Sequence, residues 1–135
     1  MHELNHSFAI NATNQINPNV KETLEYLSKK YELVIFTNYY YEVQKKRLEI
    51  MGIDKYFKVI YAGDKIPCKP RKESYNISRG NYGFNECLVI GDSLSKDYLA
   101  PIELGMEAIL YDKHNKYKNE NYRKINDFKE LMSIL

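Results

Sequence analysis

Leu88-Val89-Ile90-Gly91-Asp92-Ser93-Leu94-Ser95-Lys96-Asp97 is the stretch that decides the fold class. Cys87 to Ile90 reads as a buried parallel strand, because a strand covered on both faces is a short, unbroken apolar run. Gly91 lets the backbone turn tightly and sets Asp92 at the carboxyl end of that strand, where ligands of open α/β sheets sit. Two readings of Asp92 are open. It caps the following helix, or, with Asp97 one turn on, it serves a hard cation such as Mg²⁺.

Outward from that strand the chain alternates. Pro18 to Lys30 predicts a helix, with Pro18 in its first turn and Val20, Leu24 and Leu27 at helical spacing. Leu33 to Phe36 is a short apolar run and reads as a strand. Tyr41 to Met51 predicts a helix that turns Val43, Leu48 and Met51 inward and stops at Gly52. Phe57 to Tyr61 follows as a strand, Lys72 to Arg79 as a helix, about Lys96 to Leu104 as another, and Ala108 to Tyr111 as a strand. Asn126-Asp127 with Glu130 is a capping signal for a closing helix. Strands alternating with helices imply an α/β domain: a three-layer, Rossmann-like parallel sheet with helices on both faces. Neither repeat nor linker interrupts residues 1–135, which read as one domain.

Composition narrows the function classes. A net charge of +2 is too small to argue for nucleic acid or an anionic membrane, and no apolar run approaches the ~20 residues of a membrane span. Cys68 and Cys87 have neither metal-site spacing nor a disulfide-rich context, and the first residues carry no signal-peptide pattern, so a cytoplasmic setting is expected. The chain holds 13 tyrosines. Tyr39-Tyr40-Tyr41 lacks the basic stripe of a nucleic-acid surface and is expected to be a half-buried helix start, while the polar run from Asp112 to Arg123 is expected to be a solvated loop.

The other strand ends carry chemistry. Thr37, after Leu33–Phe36, can donate its hydroxyl to a phosphate oxygen beside the N–H groups of the next helix, or can simply cap that helix. Lys69 supplies a mobile positive charge for a phosphate or a crowded carboxylate pair, or is merely solvated; Pro70 biases it toward an extended backbone.

Taken in order, Thr37 at a strand end, Lys69-Pro70, and Gly91-Asp92 with Asp97 resemble the second, third and fourth motifs of the haloacid dehalogenase (HAD) superfamily. Asn17-Pro18-Asn19-Val20, Gly52-Ile53-Asp54-Lys55-Tyr56-Phe57 and Leu104-Gly105-Met106-Glu107-Ala108 resemble its connecting segments, so the likeness spans about residues 17 to 135. Most members are Mg²⁺-dependent phosphatases. The resemblance therefore implies that Thr37 and the N–H of Asn38 hold a phosphoryl group, and that Lys69 balances charge. It also implies that Asp92 ligates Mg²⁺ and that Asp97 acts behind them, orienting Lys69 or a metal-bound water.

The family's first motif, a strand ending in Asp-x-Asp that supplies the nucleophile and the acid/base, has no counterpart. The chain holds no Asp-x-Asp, and its first aspartate is Asp54. Residues 1–16 are expected to be either a degenerate first strand, Phe8-Ala9-Ile10, with Asn11 in place of the nucleophile and Thr13 of the acid/base, or the end of a cap domain with Leu4 and Phe8 on one helix face. If the central strand is missing, a homodimer is expected. The implied function is a HAD-like phosphatase domain without a full cap, acting on a phosphorylated substrate and feeble or inactive. The alternative is a non-catalytic module that binds phosphate, metal or a protein.

Overall fold

The computed structural model describes the backbone of residues 3–7 and 18–135, with side chains from Asn19 onward. Strand β1 (Glu3–Ser7), helix α1 (Pro18–Ser28), β2 (Glu32–Thr37), α2 (Tyr41–Met51), β3 (Val59–Ala62), α3 (Lys72–Ser78) and β4 (Cys87–Gly91) follow one another. A π-helical segment, Leu94–Leu99, then runs into α4 (Ala100–Glu103), before β5 (Glu107–Tyr111), β6 (Lys124–Ile125), a 3₁₀ turn at Phe128–Glu130 and α5 (Leu131–Ile134). The six strands form one sheet in the order β3-β2-β1-β4-β5-β6, and every neighbouring pair is parallel.

Alternation along the strands explains the three layers. Leu33 and Ile35 of β2, with Leu88 and Ile90 of β4, face a core filled by Val20, Leu24 and Leu27 of α1, Leu48 and Met51 of α2, and Phe128 and Leu131. The intervening residues, Phe36, Cys87 and Val89, face Tyr75 of α3 and Met106 on the opposite side. Successive side chains of a strand point to opposite faces, so a strand covered on both commonly reads as a near-continuous apolar run; all five residues of β4 are buried.

The strand order runs outward from its centre in two directions, β1 to β3 one way and β4 to β6 the other, so β1 and β4 meet at the point where the winding reverses. A crevice opens there beyond the carboxyl ends of the strands. β1 occupies that central position: Glu3 to His6 pair with Glu32 to Ile35, and Glu3 to Ser7 with Cys87 to Gly91. The described central strand is Glu3–Ser7, and the cap-helix reading of Leu4 fails because Leu4 lies in that strand. Phe8–Ile10, Asn11 and Thr13 lie outside the described residues. The condition attached to the homodimer, an empty centre, is not met.

Several other expectations change. Val43 is exposed, and Gln44 takes the inward position beside Leu48 and Met51. Tyr39 and Tyr40 are exposed rather than half buried. The segment after Asp112 is tied down: the buried Asp112 carboxylate accepts from the N–H of Lys116 and Tyr117, and Tyr117 and Tyr122 pack with Tyr98 over Ala108 and Leu110. The closing cap forms as expected, with Asp127 accepting from Lys129 N–H and Glu130 returning a bond to Asp127 N–H. Among the described residues no helix is long and apolar enough to cross a membrane.

Candidate functional site at the strand ends

Thr37 is the last residue of β2, so its hydroxyl stands at the crevice floor. Its oxygen accepts from the backbone N–H of Tyr39 at 3.1 Å and from the Gln44 amide at 3.1 Å. A hydroxyl has two acceptor lone pairs and one donor. With both lone pairs used, the O–H hydrogen is left to be given away. Gln44 was not singled out from the sequence; the signal was its place in the row Gln44, Leu48, Met51, one step round the helix from Val43.

Asn38 does something the sequence did not indicate. Its side-chain carbonyl accepts from Lys69 N–H at 2.8 Å, and its amide donates to the Lys69 carbonyl at 3.0 Å. This reciprocal pair fastens the loop after β3 to the end of β2. The Lys69–Pro70 peptide is cis. Gly63 lies on the same seam, where a Cβ would overlap the backbone of Asn38, so only glycine permits that approach.

From this clamp the Lys69 side chain runs inward rather than into solvent. Its ammonium donates to the Phe36 carbonyl at 3.0 Å and to Asp97 Oδ1 at 2.8 Å, lies 4.6 Å from the Phe36 ring centre, and is buried. Desolvation holds its pKa below the usual lysine value, and the paired Asp97 carboxylate opposes that shift.

Asp97 is 2% exposed and both its oxygens are engaged, Oδ1 by Lys69 and Oδ2 by the N–H of Ser93 at 3.0 Å. The helix after β4 opens as a π-helix, a wide turn often found at functional sites. Gly91 makes the arrangement possible: a Cβ there would collide with the Asp97 carboxylate. The Tyr75 hydroxyl, bonded to the Lys96 carbonyl at 2.5 Å, has its pKa raised by burial and by Asp97.

Asp92 directly follows the last residue of β4 and is exposed. The surrounding protein displaces part of its water, and this, with the charge of Asp97, raises its pKa above the usual aspartate value. The fold thus brings Thr37, Asn38, Lys69, Asp92 and Asp97 together. Among the described residues no three His, Cys, Asp or Glu side chains converge as a metal cage. With Asp97 committed, Asp92 is the carboxylate these residues offer to a cation. That donor suits Mg²⁺ only as a shared ion, since Mg²⁺ keeps several waters and is commonly held by one or two carboxylates plus phosphate oxygens of a ligand.

The sequence and fold were compared with known proteins. The family model for haloacid dehalogenase-like hydrolases matches residues 1–105. A phosphoglycolate phosphatase of Haemophilus influenzae is 33% identical over 131 residues, covering 90% of this chain and 58% of that protein. Among solved structures, a HAD-hydrolase of Bacillus subtilis bound to magnesium superposes with a TM-score of 0.81 at 26% identity, covering 90% of this chain and 57% of that one. A HAD phosphatase of Thermococcus onnurineus gives 0.79 at 28%, covering 89% and 58%. The chain spans just over half the length of these relatives. With its parallel α/β sheet and phosphatase-like relatives, this chain belongs to the haloacid dehalogenase-like hydrolase family.

Proposed function

We propose that the crevice binds the phosphoryl group of a phosphate ester together with Mg²⁺, and that this 135-residue chain hydrolyses such esters feebly or not at all. We read residues 1–135 as one HAD-like core without a full cap. The observation that carries the proposal is the hydroxyl of Thr37, filled as an acceptor and poised as a donor, beside the buried Lys69 ammonium. In this reading Thr37 O–H and Asn38 N–H donate to phosphoryl oxygens, and Lys69 offsets their charge. Asp97 positions Lys69. Asp92 holds Mg²⁺, which when bound supplies further positive charge to those oxygens. The magnesium-bound Bacillus subtilis relative supports this choice of ion.

Weak hydrolysis follows from the missing Asp-x-Asp: no aspartate precedes Asp54, and the one carboxylate of β1, Glu3, stands at the start of the strand, away from its crevice end. Asn11 and Thr13 are the residues expected at the nucleophile and acid/base positions, but in the described strand it is Ser7 that pairs with Gly91, beside Asp92, and Asn11 lies four positions further along the chain. The expected result is no measurable phosphate release from a generic ester with Mg²⁺, in the native chain and in Asn11→Asp with Thr13→Asp. Turnover gained by the double variant would put Asn11 back at the nucleophile position.

Binding is tested by calorimetry with inorganic phosphate and MgCl₂. Phosphate binding that strengthens with Mg²⁺, and loses that dependence in Asp92→Asn, is expected; phosphate affinity indifferent to Mg²⁺ would remove Asp92 as a ligand. The Mg²⁺ effect should fade on acidification, from a higher pH than an ordinary aspartate would give, because only the ionised carboxylate binds and its pKa is raised. The same shift makes the ionised form unfavourable to the fold. As pH rises through the window from the unfolded to the folded pKa, Asp92 withdraws stability, so Asp92→Asn should slightly stabilise the apo protein at neutral pH.

A further inference from the structure

Gln44 is 4% exposed and lies on the inward row of α2 with Leu48 and Met51, where an apolar side chain would be the ordinary choice. Burying an amide there costs free energy unless it is hydrogen-bonded. Its Nε2 donates to Thr37 Oγ1 at 3.1 Å. The fold does not need that bond to satisfy Thr37 or to start the helix. Thr37 Oγ1 already accepts from Tyr39 N–H at 3.1 Å. The first N–H of α2, that of Tyr41, donates to Asp64 Oδ1 at 2.9 Å, and Gln44 N–H donates to the Tyr40 carbonyl at 3.0 Å. The helix start is thus capped from the loop after β3, and Thr37 is not its cap.

What the second donor adds is direction. A hydroxyl with a lone pair to spare can rotate and either give or take a hydrogen bond. With Tyr39 N–H and Gln44 Nε2 on its two lone pairs, Thr37 can only give. Were the Gln44 amide turned over, Oε1 would take the Thr37 hydrogen and leave the crevice nothing. We infer that Gln44 is a positioning residue for ligand binding: it fixes the Thr37 hydroxyl as a one-way donor, so that the crevice takes a phosphoryl oxygen that carries no proton. The inference rests on the proposed phosphate site and says how that site is preset. A donor held in place before the ligand arrives costs no reorganisation on binding. The same arrangement disfavours a protonated phosphoryl oxygen, whose hydrogen finds no acceptor on Thr37. The Lys69 ammonium, bonded to the Phe36 carbonyl and Asp97, has no lone pair to offer it either.

The test is calorimetric titration with inorganic phosphate in MgCl₂ of the full chain, Gln44→Met, Thr37→Val and the double variant. Methionine keeps the length and helix preference of glutamine and suits the apolar row, so Gln44→Met is expected to keep the native circular dichroism spectrum. Thr37→Val should lose about tenfold in affinity, and Gln44→Met about fivefold, the scale of one hydrogen bond. In the Thr37→Val background Gln44→Met should cost nothing further, because the hydroxyl it directs is gone. A loss of equal size in both backgrounds would show that Gln44 acts by packing alone and would overturn the inference. Gln44→Glu gives a reading that packing does not move. Its ionised carboxylate accepts the Thr37 hydrogen, while its protonated form can donate in place of the amide. The ratio of its phosphate affinity to that of the native chain cancels the titrations common to both, those of phosphate, Asp92 and Lys69. That ratio is expected to fall about tenfold between pH of about 5.5 and about 9, which spans the range of buried carboxylates. The fall should shrink in the Thr37→Val background. A flat ratio, or an equal fall without the hydroxyl, means that Gln44 does not direct Thr37, and the phosphate site stands. If inorganic phosphate does not bind the native chain, the phosphate site itself is wrong and the role of Gln44 falls with it.

Discussion

Replacing Lys69 with methionine is expected to cost the fold about 3–5 kcal/mol at neutral pH, the usual penalty for stranding one member of a buried ion pair. Methionine keeps the length of the stem, so the loss reports the charge rather than a cavity. Asp97 would be left 2% exposed with one oxygen held by Ser93 N–H and no cation opposite the other. The pH signature separates this from ordinary destabilisation. It is read in Asp97→Asn. Burial already lowers the Lys69 pKa, and losing Asp97 lowers it further; the folded state then binds fewer protons, and stability rises toward the lysine value of 10.5. Urea unfolding at a series of pH values reads that slope. Lys69→Met with Asp97→Leu should lose less than the two single variants together, because neither charge is left behind. Equal midpoints for wild type and Lys69→Met at pH 7 would mean that the pair is not buried in solution.

How much of this was legible in the sequence depends on what fixes each element. β2, α2 and β4 are set by their own residues: unbroken apolar runs for the strands, and an amphipathic row ended by Gly52 for the helix. Their bounds came out within a residue or so. Gln44 was missed because periodicity counts apolar side chains, and this inward position is polar to serve Thr37. The π-helical opening at Leu94 was missed for a related reason. It comes with Asp97 reaching back to Ser93 N–H and across to Lys69, a long-range contact that no local propensity encodes. The segment after Asp112 reads as polar, yet its tyrosines cover the outer end of the sheet, where an amphipathic ring satisfies core and solvent at once. For the candidate site, the order of Thr37, Lys69 and Asp92 sufficed to bring the residues together. Their division of labour, with Asn38 as a clamp and Asp97 as a holder of Lys69, needed distances.

The least legible element is β1. Glu-Leu-Asn-His-Ser has neither the apolar run of a buried parallel strand nor strong β propensity, and yet it lies at the centre of the sheet. Its position is dictated by its neighbours: β2 and β4 carry the unbroken apolar runs Leu33–Phe36 and Cys87–Ile90, and each would present an unpaired edge if nothing lay between them. Deleting residues 2–7 is therefore expected to have the largest effect of any change to this chain. β1 makes four register pairs with β2 and five with β4, all in the interior of the sheet. Each buried backbone group left without a partner costs about 1–3 kcal/mol, so a few of them match a whole domain's stability of about 5–15 kcal/mol. Two outcomes fit. Either the truncated chain shows no cooperative unfolding transition, or the exposed edges pair between molecules and the chain elutes as a dimer or larger species. Size-exclusion chromatography with light scattering, alongside thermal unfolding followed by circular dichroism, separates these. A monomer that unfolds at the native midpoint would show that β2 and β4 close on each other without β1. The crevice at the point where the winding reverses would then have to be rebuilt without its central strand.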